Sequence, residues 1–472
     1  MRSEKMKRIM KSVSLVLCIL IFTAAIAGCT SKDTSSGDNG KIVISIADFA
    51  DEKAAPDAYK QQMQKVAEFE AKYPNVKVEN AMWKFSTDTF MAKAEGGTLP
   101  TLYYVPMTEG KKIMELGLAA DITDEYEKRG LKNGTEEFML KKISKNGKVY
   151  LFPESAYDVG IAVNIDLYKK AGYVEEDGSL YQPKTWEELA EVAKKIKETS
   201  GVDGFIIPTT KNQGGWRFTP IAWSYGTVFE TKDDSGKWKA SFDSPECLKA
   251  LRYVSDLKWK YNVLPANSLL SLDDSMKQFA AGNAAMTFAE SNYIVNLAKV
   301  LKMDKDNIGM IALPAGDKKR VTLMGGGFRV INSKASPEQI AAAIDYIEFG
   351  GNTCNMTEER KEIIRKDYEL EHKNNEMIGL QSLCPWNAAS EYRTYIDGLD
   401  REFANININH VKNYNDKSGL ELQEEEPIDA QALYSVFDSI IQEMLTNKDA
   451  DIESLLKKAA EDFQTNNLDY AE

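Results

Sequence analysis

From Lys41 onward, short apolar runs alternate with helix-patterned segments, and that alternation constrains the fold more than any other feature. Lys41 to Ala47 (KIVISIA) reads as a compact strand. Ala58 to Tyr73 places Met63, Val66 and Phe69 at helical spacing, and Pro74 stops it. Val76 to Glu79 and Leu102 to Val105 read as further strands, with helices at Thr87 to Glu95 and Lys111 to Leu116. This order predicts an α/β architecture around a parallel, doubly wound sheet, whose ligands sit beyond the C-terminal strand ends; Asp48, Trp83, Pro106 and Met107 occupy such ends. A second α/β region starts near Gly160, with a strand at Ile161 to Val163 and a helix at Asp166 to Ala171. Thr185 then caps a helix, with Glu188 three residues on completing a capping box. Phe205 to Pro208 reads as a strand, Lys232 to Phe242 as a hairpin turning at Ser235-Gly236, and Ser244 as the cap of another helix.

Ahead of this body stands an address. Arg2, Lys5, Lys7, Arg8 and Lys11 precede an apolar run from Val13 to Ala27, too short for the roughly 20 residues of a permanent membrane helix. A basic start followed by a short apolar run reads as a bacterial export signal, residues 1–28. It ends in Ile26-Ala27-Gly28-Cys29, which resembles the lipobox of bacterial lipoproteins. In those proteins the cysteine is acylated, so Cys29 is the expected lipidation site, and two or three acyl chains anchor where one does not. Residues 29–40 form a polar, flexible tether. The expected location is the outer face of the cell membrane, held by lipid alone.

Of 472 residues, 59 are Lys or Arg and 72 are Asp or Glu, giving −13. The export signal carries +4, so the remaining body carries −17, a poor partner for nucleic acid phosphates. Only two His occur, and no GxSxG elbow, HExxH helix or phosphate loop is present. No enzyme activity, cofactor or metal ligand set is expected. Without a phosphate loop or membrane spans, the chain can neither hydrolyse ATP through such a loop nor form a helical pore. Beyond the signal and Cys29, the cysteines are Cys247, Cys354 and Cys384, which leave either one disulfide (Cys354 with Cys384) or three free thiols.

Six stretches in order carry a family likeness: NIDLYKKAGY (164–173), PKTWEEL (183–189), SPECLKALRYVSDL (244–257), FAAGNAAM (279–286), IGMIALPAG (308–316) and SKASPEQIAAAIDYIEF (333–349). Together, behind a lipobox, they resemble the family 1 extracellular solute-binding proteins, the carbohydrate-binding lipoproteins of ABC importers. The resemblance covers about 41–349 and thins from 350 to 385, where Glu358 to Glu376 reads as a solvated helix. It implies a two-lobed, type II periplasmic-binding-protein-like fold, each lobe an α/β sheet domain, with three interlobe crossings. The crossings are expected near 158–160, 284–287 and 329–332, giving a first lobe of 41–157 plus 288–329 and a second of 161–283 plus 333–472. It also implies a monomer that captures a sugar by hinge closure and delivers it to a permease. A lipid-anchored glycoside hydrolase and a ligand-presenting sensor subunit are the alternatives.

Sugars present flat C–H faces and a hydroxyl rim, so aromatic platforms, carboxylates and amides are the residues to seek. Trp216, Trp223 and Tyr225 crowd the stretch Asn212 to Gly226, which Gly214-Gly215 and Pro220 should keep partly in loop. Either one of these tryptophans stacks on a ring or both fill the second lobe's core. Trp83 and Trp386 are further candidates, whereas Trp186, Trp238 and Trp259 are expected in packing. Asp48, Tyr157 and Glu290 are candidate polar contacts, and Gly326, within the run 325–327, is a candidate for close backbone approach or a simple tight turn.

Overall fold

The computed structural model describes residues 40–471. The export signal, Cys29 and the tether up to residue 39 lie outside the described residues. Strand β1 (Ile42–Ile46) leads through helix α1 (Pro56–Lys72) to β2 (Val76–Asn80), then through α2 (Thr87–Glu95) to β3 (Leu102–Pro106), followed directly by α3 (Met107–Glu115). β1 pairs in parallel with β2 and with β3, as the alternation predicts. The rest of the sheet departs from that expectation. β4 (Leu151–Asn164), β5 (Met286–Glu290), β6 (Ile308–Ile311) and β7 (Val321–Ile331) join antiparallel, giving the eight-stranded order β6-β4-β7-β3-β1-β2, with β5 on β4 and β8 (Glu421–Gln423) parallel on β7. The sheet is mixed, because these strands do not return through the right-handed helical crossovers that parallel pairing needs.

β4 is where the two lobes meet. Its first half, up to Asp158, pairs with β7, and its second half pairs with β5 and β6. Ala156 belongs to the apolar core of the first lobe, and Val159, Ile161 and Val163 to that of the second. Ala162 faces the opposite side of the same sheet, where it packs with Met276, Phe279 and Met310. The period-2 alternation thus gives the second lobe a layer of packing on both faces.

The core assignments move the expected lobe boundaries. Phe288, Ile294, Leu297 and Leu313 pack in the second lobe, because β5 is tied along its length to β4 and never returns to the first. The second passage lies within β7, between Leu323 and Met324, rather than near 284–287 or 329–332. Helix α7 (Pro337–Phe349) buries Ala342, Ala343, Ile344 and Ile347 in the first lobe, and Trp386 joins them. By Ile406 the chain is back in the second lobe, which the two C-terminal helices then complete. The expected strand at 205–208 is reduced to isolated bridges such as Ile206 with Thr287. The helix Glu358–Lys373 buries none of its residues, as its charge pattern predicts. Among the described residues Cys247, Cys354 and Cys384 form no disulfide.

Local signals explain the two helix starts read from capping residues. Thr185 accepts a hydrogen bond from the Glu188 backbone N–H and Ser244 from that of Cys247, opening α4 (Trp186–Ser200) and α6 (Pro245–Trp259). Glu188 does not close a capping box; its carboxylate accepts from the Lys184 N–H instead.

The stretch expected to contain loop is a continuous helix, α5 (Gln213–Tyr225). A partner stabilises it. Asp438, on α8 (Ala430–Thr446), accepts from the backbone N–H groups of Asn212 (2.7 Å) and Gly215 (2.8 Å), satisfying donors that the helix start leaves orphaned. Pro220 cannot donate to the Trp216 carbonyl, and the Thr219 hydroxyl does so in its place at 2.8 Å. Gly215 permits close helix contact: a Cβ there would lie 2.1 Å from the Tyr434 carbonyl oxygen. Gly215→Ala should gain about 1 kcal/mol of helix propensity and lose about 3 kcal/mol by overpacking against backbone. A net loss near 2 kcal/mol is expected in urea unfolding, and an unchanged or raised midpoint would contradict this packing.

Candidate functional site

A cavity of about 400 Å³ opens between the lobes. The first lobe contributes the β3–α3 junction, with Tyr104, Pro106, Met107 and Thr108, and the Gly325-Gly326 edge of β7. The second contributes the start of α5 (Asn212, Gln213, Trp216), the end of β5 with Glu290, Asn292 and Tyr293, and the C-terminal residues Glu425, Gln431 and Tyr434. Tyr157 stands between the lobes on β4.

Four residues singled out from sequence therefore line one cavity: Tyr157, Trp216, Glu290 and Gly326, together with Pro106, Met107 and Asn292. The glycine run 325–327 is neither a turn nor a left-handed segment; it is a strand stripped of side chains. A Cβ at Gly325 would meet the Tyr157 ring at 2.5 Å, and one at Gly327 the Tyr104 ring at 2.1 Å. At Gly326 a Cβ would meet the Ser155 carbonyl at 2.2 Å. The run lets two tyrosine rings approach β7 closely at the cavity wall.

Trp216 is held from two sides. Its indole N–H donates to Glu425 Oε1 at 2.5 Å, and the Arg217 guanidinium stacks 4.9 Å from its ring. Arg217 is itself buried, with Nη2 donating to Glu290 Oε1 at 2.6 Å and Nη1 to the Gln213 amide oxygen. Burial pushes the Arg217 guanidinium below its ordinary pKa, and the Glu290 carboxylate pushes back. Glu290 is 8 % exposed and its Oε2 has no partner among the described residues. Burial raises the Glu425 carboxyl above the ordinary carboxylate value, and the Trp216 N–H opposes that.

The remaining candidates lie elsewhere. Asp48 accepts from the Tyr104 backbone N–H at 2.8 Å and pairs with Arg329, fastening β1 to β3. Trp83 packs edge-on against Tyr103 in the first lobe. Trp386 is buried there against Phe152. Trp223 and Tyr225 are 1 % exposed in the second lobe's core, with the Tyr225 hydroxyl donating to Glu187. Trp186 and Trp259 pack as expected, the latter donating to the Met444 carbonyl.

Sequence reasoning missed Tyr104, Tyr293, Tyr434, Gln431 and Glu425. Only Glu425 left a signal, in the acid run Glu424-Glu425-Glu426 before Pro427. Its three members diverge: Glu424 pairs with Lys142 of the first lobe, Glu425 holds Trp216 in the cavity, and Glu426 accepts from Trp223 at 2.9 Å.

Glu426 also faces Glu230, and burial dominates both. The Glu230 carboxyl is pushed up to about 8, by burial and then by the Glu426 charge. The Glu426 carboxyl is pushed up to about 7 by burial. The folded protein therefore binds more protons than the unfolded chain between the ordinary value of 4.5 and about 8. Stability should fall as pH rises through that window, and Glu230→Gln should flatten the fall. Melting temperatures across this range check it; equal slopes for both proteins would contradict the assignment.

Residues 64–359, well over half the chain, match the family described as bacterial extracellular solute-binding protein. The sn-glycerol-3-phosphate-binding periplasmic protein UgpB of Escherichia coli K12 is 25 % identical over 224 residues, 46 % of this chain and 48 % of that protein. The match thus spans about half the length of the curated relatives. Maltose-bound MalE3 of T. maritima superposes with a TM-score of 0.63 at 20 % identity, covering 90 % of this chain and 99 % of that one. UgpB from Mycobacterium tuberculosis, in complex with glycerophosphocholine, gives 0.63 at 15 % identity, covering 90 % and 98 %. These two structures share the two-lobed fold with this chain.

Proposed function

The chain belongs to the bacterial extracellular solute-binding proteins, and from that membership we propose that its interlobe cavity captures a sugar or short oligosaccharide for an ABC importer. The observation that carries this reading is the cavity wall. Tyr104, Tyr157, Trp216, Tyr293 and Tyr434 supply aromatic rings, and Asn212, Gln213, Asn292, Gln431, Glu290 and Glu425 supply hydrogen-bonding groups. That pairing suits a ring with apolar C–H faces and a hydroxyl rim. Among the described residues lining the cavity there is no Lys, Arg or His, which disfavours an anionic phosphate ester.

Capture then follows from the passages at Ala156–Val159 and Leu323–Met324, about which the lobes close on the ligand. Delivery requires a permease and a separate ATPase. No helix among the described residues is long and apolar enough to cross a membrane, and acylated Cys29 would tether the protein outside the cell. Family members are binding proteins, and we take this chain to return its ligand unchanged.

Thermal-shift screening against mono- and oligosaccharides, with sn-glycerol-3-phosphate and glycerophosphocholine alongside, tests the reading. A saccharide that raises the melting temperature and is recovered intact supports it. Stabilisation by the phosphate esters alone, or hydrolysis of the saccharide on extended incubation, would overturn it.

A further inference from the structure

The cavity's charge is not balanced from within the protein. Glu290 and Glu425 both face it, and the nearby cation, Arg217, already donates to Glu290 Oε1 and to Gln213. Glu290 Oε2 is left buried and without a partner among the described residues, and Glu425 Oε1 receives the Trp216 N–H. A buried carboxylate oxygen with no donor costs free energy until a ligand supplies one. The surroundings favour a positive donor: Glu290 already balances Arg217, and Glu425, whose carboxyl burial raises, adds negative charge when ionised, a state that a bound cation favours. Trp216, Tyr157, Tyr293 and Tyr434 line the same space, and aromatic rings attract a cation placed over their faces.

We propose that the ligand is an amino sugar, whose protonated amine is held among the Glu290 and Glu425 carboxylates while its hydroxyls meet the amides of the wall. This rests on the saccharide reading and narrows it to a cationic member of that class. An ammonium group would complete Glu290 Oε2 and offset the excess charge, whereas a neutral hydroxyl would do only the former. Charge-assisted hydrogen bonds exceed neutral ones by roughly a tenfold factor in binding.

Three β-1,4-linked disaccharides that differ at carbon 2 test it by calorimetry: chitobiose with free amines, N,N′-diacetylchitobiose and cellobiose, in a mildly acidic buffer that protonates the amines. Chitobiose should bind about tenfold more tightly than either neutral analogue. Glu425→Gln, which keeps an acceptor for Trp216 and removes the charge, should narrow that ratio. Equal or tighter binding of a neutral analogue, or an unchanged ratio in the variant, would overturn the amino-sugar proposal and leave the saccharide reading standing. Should Glu425→Gln fail to fold, the three-ligand series on the natural sequence decides alone. If none of the three binds and another neutral saccharide does, the amino-sugar proposal also fails. If only phosphate esters bind, the saccharide reading itself has failed.

Discussion

Trp216→Ala is expected to weaken binding of the captured saccharide by roughly 30- to 150-fold, about 2–3 kcal/mol, with little change in the unliganded protein's stability. The asymmetry follows from where the side chain stands. Trp216 sits at the start of α5 on the cavity wall, only partly buried in the second lobe's core. Removing it takes away the ring platform and frees Glu425, which can rehydrate in the opened space. Trp223→Ala should do the reverse. That ring is 1 % exposed, so its removal leaves a core void costing about 3–5 kcal/mol of stability. Calorimetric titration beside urea unfolding of both variants separates the two roles. Equal loss of affinity in both would show that Trp216 acts through the core rather than on the ligand.

Glu290→Ala should cost both binding and fold. Arg217 is 1 % exposed, and its guanidinium would lose its only carboxylate partner at hydrogen-bond distance among the described residues. An uncompensated buried charge typically costs about 3–5 kcal/mol. The pair itself need not be net stabilising, because desolvation offsets most of its attraction. Arg217→Met in the Glu290→Ala background should therefore recover much of the lost stability while leaving ligand affinity low. Denaturation of the two single variants and the double variant completes the cycle. Additive losses would contradict the coupling between these residues.

The sequence announced the elements and their order better than it announced the site, and the reasons are visible in particular residues. Thr185 and Ser244 cap helices through bonds to their own near neighbours, so three or four residues suffice to read them. The start of α5 depends on Asp438, more than two hundred residues away, and no local pattern discloses that a carboxylate will stabilise a helix containing Gly214, Gly215 and Pro220. Trp216 and Trp223 lie seven residues apart on one face of that helix, about 10 Å along its axis. Depth along the axis, not helical face, puts one at the cavity and the other in the core, and periodicity carries no information about depth. The lobe boundaries failed for a related reason. β5 looked like a strand returning to the first lobe, but its partner is the second half of β4, a pairing set by register across more than a hundred residues. Tyr434 and Gln431 come from a C-terminal helix whose membership of the cavity only the tertiary fold defines.

The central claim is that one ligand is gripped by both lobes across the cavity. Hydrogen exchange with and without the saccharide chosen by thermal shift measures this directly. We expect protection in three sets of residues at once: 104–108 of the first lobe, 212–216 and 290–293 of the second, and the C-terminal stretch 425–434. Protection confined to one lobe, or centred away from these segments, would contradict it.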